Sequence, residues 1–318
     1  MREPHLQLLE FPTIYDLLTA ATRGGVPILE LIDVAVNGTP LDYNAIYTGQ
    51  SEWKILPPID HPEPARCIIS GTGLTHLGSA RSRDSMHEKI GGAEENLTDS
   101  MKMFRWGVEG GKPAKGFIGI APEWFYKGTA ATNLRGHNQK LDLPSYAEDG
   151  GEEAEIAGVY LVSDIGRPVR IGMTQGNEYS DHVFEKKNYL NLAGSKMRQC
   201  SIGPELVLDP DFASVKGKAS ILRDGKDLWS KPLLTGEDEM CHSLANIEHH
   251  HFKFAAHRRP GDVHIHFYGA CALSFGDGVK LQNGDVMQVA FKGFGRPLLN
   301  TLSAPGKVDE LISVLRLK

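Results

Sequence analysis

The feature that most constrains this chain is a pair of carboxylates at the head of an apolar run: Glu153, Ala154 and Glu155, followed by Ile-Ala-Gly-Val-Tyr-Leu-Val to Val162. The β-branched, apolar character of the run predicts a strand over 153–162. Residues i and i+2 of a strand share a face, so the Glu153 and Glu155 carboxylates point the same way. Ile165-Gly166-Arg167 predicts a turn, and Pro168 to Gln175 the next strand. A hairpin of that length returns Glu178 to the two glutamates. Three facing carboxylates without a counter-ion repel, and some would have to hold a proton. A hard divalent cation such as Mg²⁺ removes the conflict, because it prefers oxygen ligands and keeps open positions for a substrate. Glu153, Glu155 and Glu178 are therefore the candidate metal ligands. An isolated Glu-x-Glu on a strand more often simply faces solvent, so the surrounding sequence has to decide.

That context is an ordered series. After Glu-x-Glu and its strand come Asn177-Glu178-Tyr179-Ser180, Lys196 and Ile202-Gly203-Pro204. Later come Arg259-Pro-Gly-Asp-Val263, Leu281-Gln-Asn-Gly-Asp-Val286 and Phe291-Lys-Gly-Phe-Gly295. The series, over about residues 65 to 300, resembles the metal-binding core of the fumarylacetoacetate hydrolase superfamily. The resemblance implies an α+β, β-rich fold: a mixed β-sandwich roll preceded by a small N-terminal α/β domain, assembled as a homodimer or homotetramer. It implies Mg²⁺ as the cofactor, with Mn²⁺ or Ca²⁺ as substitutes.

It also implies roles for particular residues, and the chain departs from the pattern at several of them. Where most members have Asn-Asp-Val-Ser, this chain has Asn-Glu-Tyr-Ser, so the third ligand is expected to be Glu178, with Asp181 as the alternative. Lys196 matches a lysine directed at developing negative charge on the substrate. Lys127, in Pro122-Glu-Trp-Phe-Tyr-Lys127, matches a strand lysine that orients the substrate carboxylate or donates a proton. Most hydrolases carry Gly-x-Asn-Tyr-x-x-His at the first catalytic strand. Here Thr75 and His76 replace Asn-Tyr, and Ser79 stands where the histidine belongs. His76 is then either a pocket residue or a structural histidine. Ser180, Thr75 and the Gly269-Ala270 turn are the expected substrate contacts; Ala270 stands where most members have a threonine. The run from Gly194 to Pro204 is shorter between the lysine and Gly-Pro than in the hydrolases, and looks more like the branch that dehydrates sugar acids.

Composition bounds the remaining classes. A net charge of −6 over 318 residues recommends neither nucleic acid nor an anionic membrane as a partner. No run of about eighteen apolar residues exists, and Met1-Arg-Glu-Pro-His does not open a signal peptide. Cys67, Cys200, Cys241 and Cys271 lack Cys-x-x-Cys spacing and read as thiols of a reducing compartment, which predicts the cytoplasm.

Along the chain, residues 1–66 are expected to form the small domain and 67–318 the catalytic one, with the boundary at Asp60-His-Pro-Glu-Pro64. His5 to Phe11 predicts a strand, and Thr13 a cap for a helix through Ala21. Residues 81–115 read as a polar, glycine-broken lid containing a helix from about Leu97 to Trp106, with Arg81, Arg83 and His87 open as substrate contacts. A short strand is expected at 116–120, an Asp-Gly hairpin at 224–225, a helix from Ser243 to His257 and a C-terminal helix near 309–317. His249-His250-His251 does not predict zinc, because consecutive helical residues point about 100° apart.

The function these readings imply is Mg²⁺-dependent dehydration of a 2-keto-3-deoxy sugar acid, a pentonate above others, to 2-oxoglutarate semialdehyde. The alternative is carbon–carbon hydrolysis of a 2,4-diketo acid on the same site. A non-catalytic metal-binding protein is the third reading. The partner in the first two is a small 2-keto acid.

Overall fold

The structure is a computed structural model and describes residues 3–78, 97–304, 306 and 309–317. The strands are β1 (His5–Leu9), β2 (Val36–Asp42), β3 (Cys67–Gly73), β4 (Glu123–Thr129), β5 (Leu134–Arg135), β6 (Leu141–Asp142) and β7 (Ala154–Val162). They continue with β8 (Pro168–Asn177), β9 (Cys200–Ile202), β10 (Val215–Arg223), β11 (Lys226–Thr235), β12 (Val263–Phe267), β13 (Val286–Phe291) and β14 (Leu298–Ser303). Seven of them form a mixed sheet in the order β4-β3-β12-β7-β8-β9-β5, and five form a second sheet in the order β11-β10-β13-β14-β6.

The two sheets face each other. Ala154, Ile156 and Met173 of the large sheet share one core with Val215, Ala219, Val289 and Leu298 of the other, and Leu244 and Ile247 of the helix Leu244–Phe252 join it. The opposite face of β7 carries Ala157, Val159 and Leu161, packed with Ile69, Ile265 and Phe267 of the same sheet. Leu18 and Ile59 of the N-terminal segment cover that face. β7 is buried on both faces along its whole length, which is why its sequence is a continuous apolar run rather than an alternation. The architecture is the β-rich sandwich expected from the sequence.

Local chemistry sets most boundaries. Thr13 caps the helix Ile14–Gly24 by accepting from Asp16 N–H, and Gly25 ends it at φ +61°. The β10–β11 hairpin turns at Asp224 and Gly225, with φ +52° and +76°, the pairing a two-residue turn of this hand requires.

Four expectations are corrected. Residues 116–120 are not a strand: Ile120 N–H bonds to Gly110 O, and Asn246 takes Gly119 N–H and Ile120 O, so no ladder partner is left for them. The helix in the expected lid runs over Asp99–Gly110, further than Trp106. The helix at 243–257 stops at Phe252, where Lys253 N–H closes on His249 O, and a separate 3₁₀ turn spans Ala255–Arg258. Residues 309–317 are irregular; Leu311, Ile312, Val314, Leu315 and Leu317 stand exposed, so no buried face offsets the cost of forming a short helix. Arg81, Arg83 and His87 lie outside the described residues.

Candidate metal centre

The β7–β8 hairpin builds the site. Glu155 pairs with Gly176 and Ala154 with Asn177, so the far end of β8 lies beside the head of β7. Glu178 N–H bonds to Glu153 O at 2.9 Å, and Asn177 Oδ1 accepts from Glu153 N–H at 3.2 Å. Tyr179 then turns the chain at φ +53°, a strained backbone for a bulky residue. Glu153, Glu155 and Glu178 are all buried, and each offers an oxygen within 4.8 Å of the others. No other three His, Cys, Asp or Glu side chains among the described residues converge in this way. Asp181, the alternative third ligand, is spent elsewhere: it caps the helix His182–Lys187 through Phe184 N–H and pairs with Arg198.

Two buried lysines flank the trio. Lys196 ends the short helix Leu192–Lys196, and its Nζ donates to Glu153 Oε1, Glu178 Oε2 and Ser180 Oγ. The Ser180 hydroxyl donates in turn to Glu178 Oε2 at 2.8 Å. Lys127 donates to Glu178 Oε1 and, at 3.0 Å each, to the carbonyls of Tyr179 and Lys196. Its aim comes from a β-bulge: Ile69 pairs with Gly128 and Ser70 with Tyr126, which leaves Lys127 as the extra residue beside a glycine at φ +118°. All three ammonium hydrogens of Lys127 are used, so its geometry is that of a clamp on Glu178 and the two neighbouring backbones.

The other expected residues divide. Gly269 N–H donates to Glu155 Oε2 at 2.7 Å, and Thr75, which donates to Tyr268 O, fills the space where a Gly269 side chain would stand. Ala270 is buried beside Leu273. His76 is held between Thr75 Oγ1 (2.9 Å) and Thr235 Oγ1 (3.0 Å), and burial lowers its pKa to about 4. A histidine kept neutral in this way cannot supply the proton of a general acid near pH 7.

Three buried groups escaped the sequence reading. Glu123 lies on the same face of β4 as Phe125 and Lys127, and accepts from Tyr189 Oη at 2.8 Å. A side chain on Gly73 would collide with its carboxylate, 1.9 Å away. His182 Nε2 lies 3.1 Å from Glu153 Oε1. Glu185 accepts from Ser195 beside Lys196. Alternation along Glu123-Trp-Phe-Tyr-Lys127 was a legible signal for Glu123. Nothing local marks His182, which follows the helix cap Asp181.

The donor set fits a hard cation. Burial, and then the charges of Glu153 and Glu178, push the Glu155 carboxyl well above its ordinary range, and Lys196 and Gly269 N–H only partly offset this. An all-oxygen trio whose central member still lacks a counter-ion, despite two lysines, is what a divalent oxygen-seeking ion would complete.

No protein-family model and no curated protein matches the chain. Solved structures do. A 2-keto-3-deoxy-D-arabinonate dehydratase aligns at 18% identity over 96% of this chain and 94% of its own, with a TM-score of 0.68, as does its complex with magnesium and 2,5-dioxopentanoate. A 5-carboxymethyl-2-hydroxymuconate delta-isomerase from Mycobacterium smegmatis aligns at 17% identity over 86% and 88%, with a TM-score of 0.54. The chain therefore shares the fold of these solved structures, in agreement with the β-rich sandwich roll expected from the sequence.

Proposed function

We propose that the chain is an enzyme that dehydrates a 2-keto-3-deoxy sugar acid, a pentonate in the first instance, to the 2-oxo semialdehyde. The observation that carries the reading is the buried Glu153/Glu155/Glu178 trio with Lys196 set against it. The similar dehydratase forms a complex with magnesium and 2,5-dioxopentanoate, and the latter is the product this reading requires.

Glu153, Glu155 and Glu178 would hold the cation, which when bound supplies Lewis-acid polarisation of the carboxylate and 2-oxo groups of the keto acid. Polarisation acidifies C3. Lys196, whose Nζ lies against two of the three carboxylates and Ser180, is the residue we assign to the C3 proton; it would take it as the neutral amine, since an ammonium donating to three acceptors has no lone pair left. With the proton on Nζ, its ammonium charge would oppose the negative charge that builds on the 2-oxo oxygen. Lys127 keeps Glu178 and the Lys196 backbone in place. Gly269 and Thr75 shape the wall beside Glu155. The 4-hydroxyl leaves with a proton as water, and the C3–C4 alkene then loses a proton from C5 and gains one at C3; the resulting C4–C5 enol takes a proton at C4 and releases its hydroxyl proton, so C5 ends as the aldehyde.

Hydrolysis of a 2,4-diketo acid needs a base for water. His76, committed to Thr75 and Thr235, does not favour that reading. The deciding experiment incubates the protein and MgCl₂ with 2-keto-3-deoxypentonates of either C4 configuration and with a 2,4-diketo acid. A semialdehyde from a pentonate supports the assignment; pyruvate released from the diketo acid, with both pentonates untouched, overturns it.

A further inference from the structure

We propose that His182 is a positioning residue of the metal centre: its Nε2–H fixes the Glu153 carboxylate in the orientation that binds the cation. The inference rests on the metal reading above and goes beyond it, since it concerns a residue that touches neither cation nor substrate.

The imidazole is completely buried at the first turn of the helix His182–Lys187. Its Nε2 lies 3.1 Å from Glu153 Oε1, and a carboxylate oxygen there can only accept, so the proton is on Nε2. Nδ1 has no hydrogen-bond partner among the described residues. A buried ring nitrogen left without a partner is costly, so the contact to Glu153 is the ring's single polar commitment. The surroundings are shaped to keep it there. Phe275 packs on the ring, with centroids 5.2 Å apart. Gly151 makes room for the other edge: a Cβ at that position would fall 2.1 Å from Nδ1.

Lys196 holds the same carboxylate oxygen, but it also spans Glu178 and Ser180 on a flexible stem. A lysine that turns to the substrate gives up its grip on Glu153, whereas a rigid, packed imidazole does not. His182 is therefore the lasting constraint on that ligand. Partners that orient metal ligands typically change affinity by about 10–100-fold when removed.

Calorimetric titration of the metal-free protein with Mn²⁺ and Mg²⁺ tests this without any substrate. We expect His182→Leu to weaken cation binding by about 10–100-fold. His182→Gln, which keeps an N–H donor at the end of the side chain, should restore affinity to within a few-fold. Gly151→Ala should reproduce the loss by pushing the ring off Glu153, with no ionisable group altered. Metal-free melting temperatures taken alongside separate a loss of orientation from a loss of folding, and Gly151→Ala with His182→Gln keep the test decisive where His182→Leu does not fold. Native affinity in Gly151→Ala, or failure of His182→Gln to rescue, overturns the positioning role while the metal centre stands. No uptake of either cation by the native protein overturns the metal centre itself, and this role with it.

Discussion

Replacing Glu155 with glutamine preserves the shape of the side chain and its acceptor for Gly269 N–H, but removes the negative charge a cation needs. Because the native carboxyl is held far above its ordinary pKa by burial and two neighbouring carboxylates, the metal-free fold loses little from this change. Glu155→Gln is expected to lower turnover by at least about 10³-fold and leave the metal-free melting temperature unchanged or higher. A product assay and a thermal melt check both halves, and near-native turnover would refute the ligand role. Lys196→Met should behave differently. It removes the ammonium shared by Glu153 and Glu178 and leaves them to His182 and Lys127 alone, so the metal-free protein should lose up to about 3–5 kcal/mol. Much of that loss should return on adding Mg²⁺, while turnover stays down by about 10²–10³-fold.

At the scale of elements, the large sheet is two-sided in chemistry as well as packing. Residue pairs across β7 and β12 put Ile265 on the face of Val159 and Glu155, and His264 and His266 on the other. There, His251 Nε2 approaches His264 Nδ1 at 3.0 Å, and His266 is held by Ser70 and Thr72. These imidazoles serve the packing of the helix Leu244–Phe252, not the metal site. Burial, then neighbouring histidines, lower the pKa of His264 and His266 to about 3. In the unfolded chain each titrates near 6.5. Between those values the unfolded state binds more protons, so stability is full above about pH 6.5 and falls as pH drops toward 3, by up to about 1.4 kcal/mol per pH unit for each histidine. Urea unfolding midpoints at pH 7.5, 6 and 5 measure this, and a flat series would contradict it. The β4 bulge carries its own prediction. Gly128→Ala places a side chain at φ +118°, 2.4 Å from Asn133 Nδ2, and should cost about 1–3 kcal/mol while loosening the Lys127 clamp.

For the whole molecule, a cation that binds only the folded state stabilises it by mass action, by about 2.7 kcal/mol at 100 times the dissociation constant. Melting after chelator treatment, and again with excess Mg²⁺, should therefore differ by several degrees. Identical curves with Mg²⁺, Mn²⁺ and Ca²⁺ would count against a metal centre. Among the described residues no helix is long and apolar enough to cross a membrane. Cys67, Cys200, Cys241 and Cys271 are all free thiols.

What the sequence determined by itself was whatever depends on neighbours in the chain. Strand geometry aimed Glu153, at the head of β7, and Glu155 together, the hairpin length returned Glu178, and Thr13 and Asp224-Gly225 marked a cap and a turn. Tertiary structure decided what depends on distant groups. Asp181 and Glu178 are alike in sequence and were separated by Arg198 and a helix end. His76 was drawn to Thr235, Lys127 was turned inward by a bulge, and His182 was brought onto Glu153 from 29 residues away. The apolar residues at 309–317 have helical spacing but no surface to bury against, so no helix forms there. Spacing fixes direction along one strand or helix, whereas burial and charge pairing are set by whichever residues the two sheets bring across.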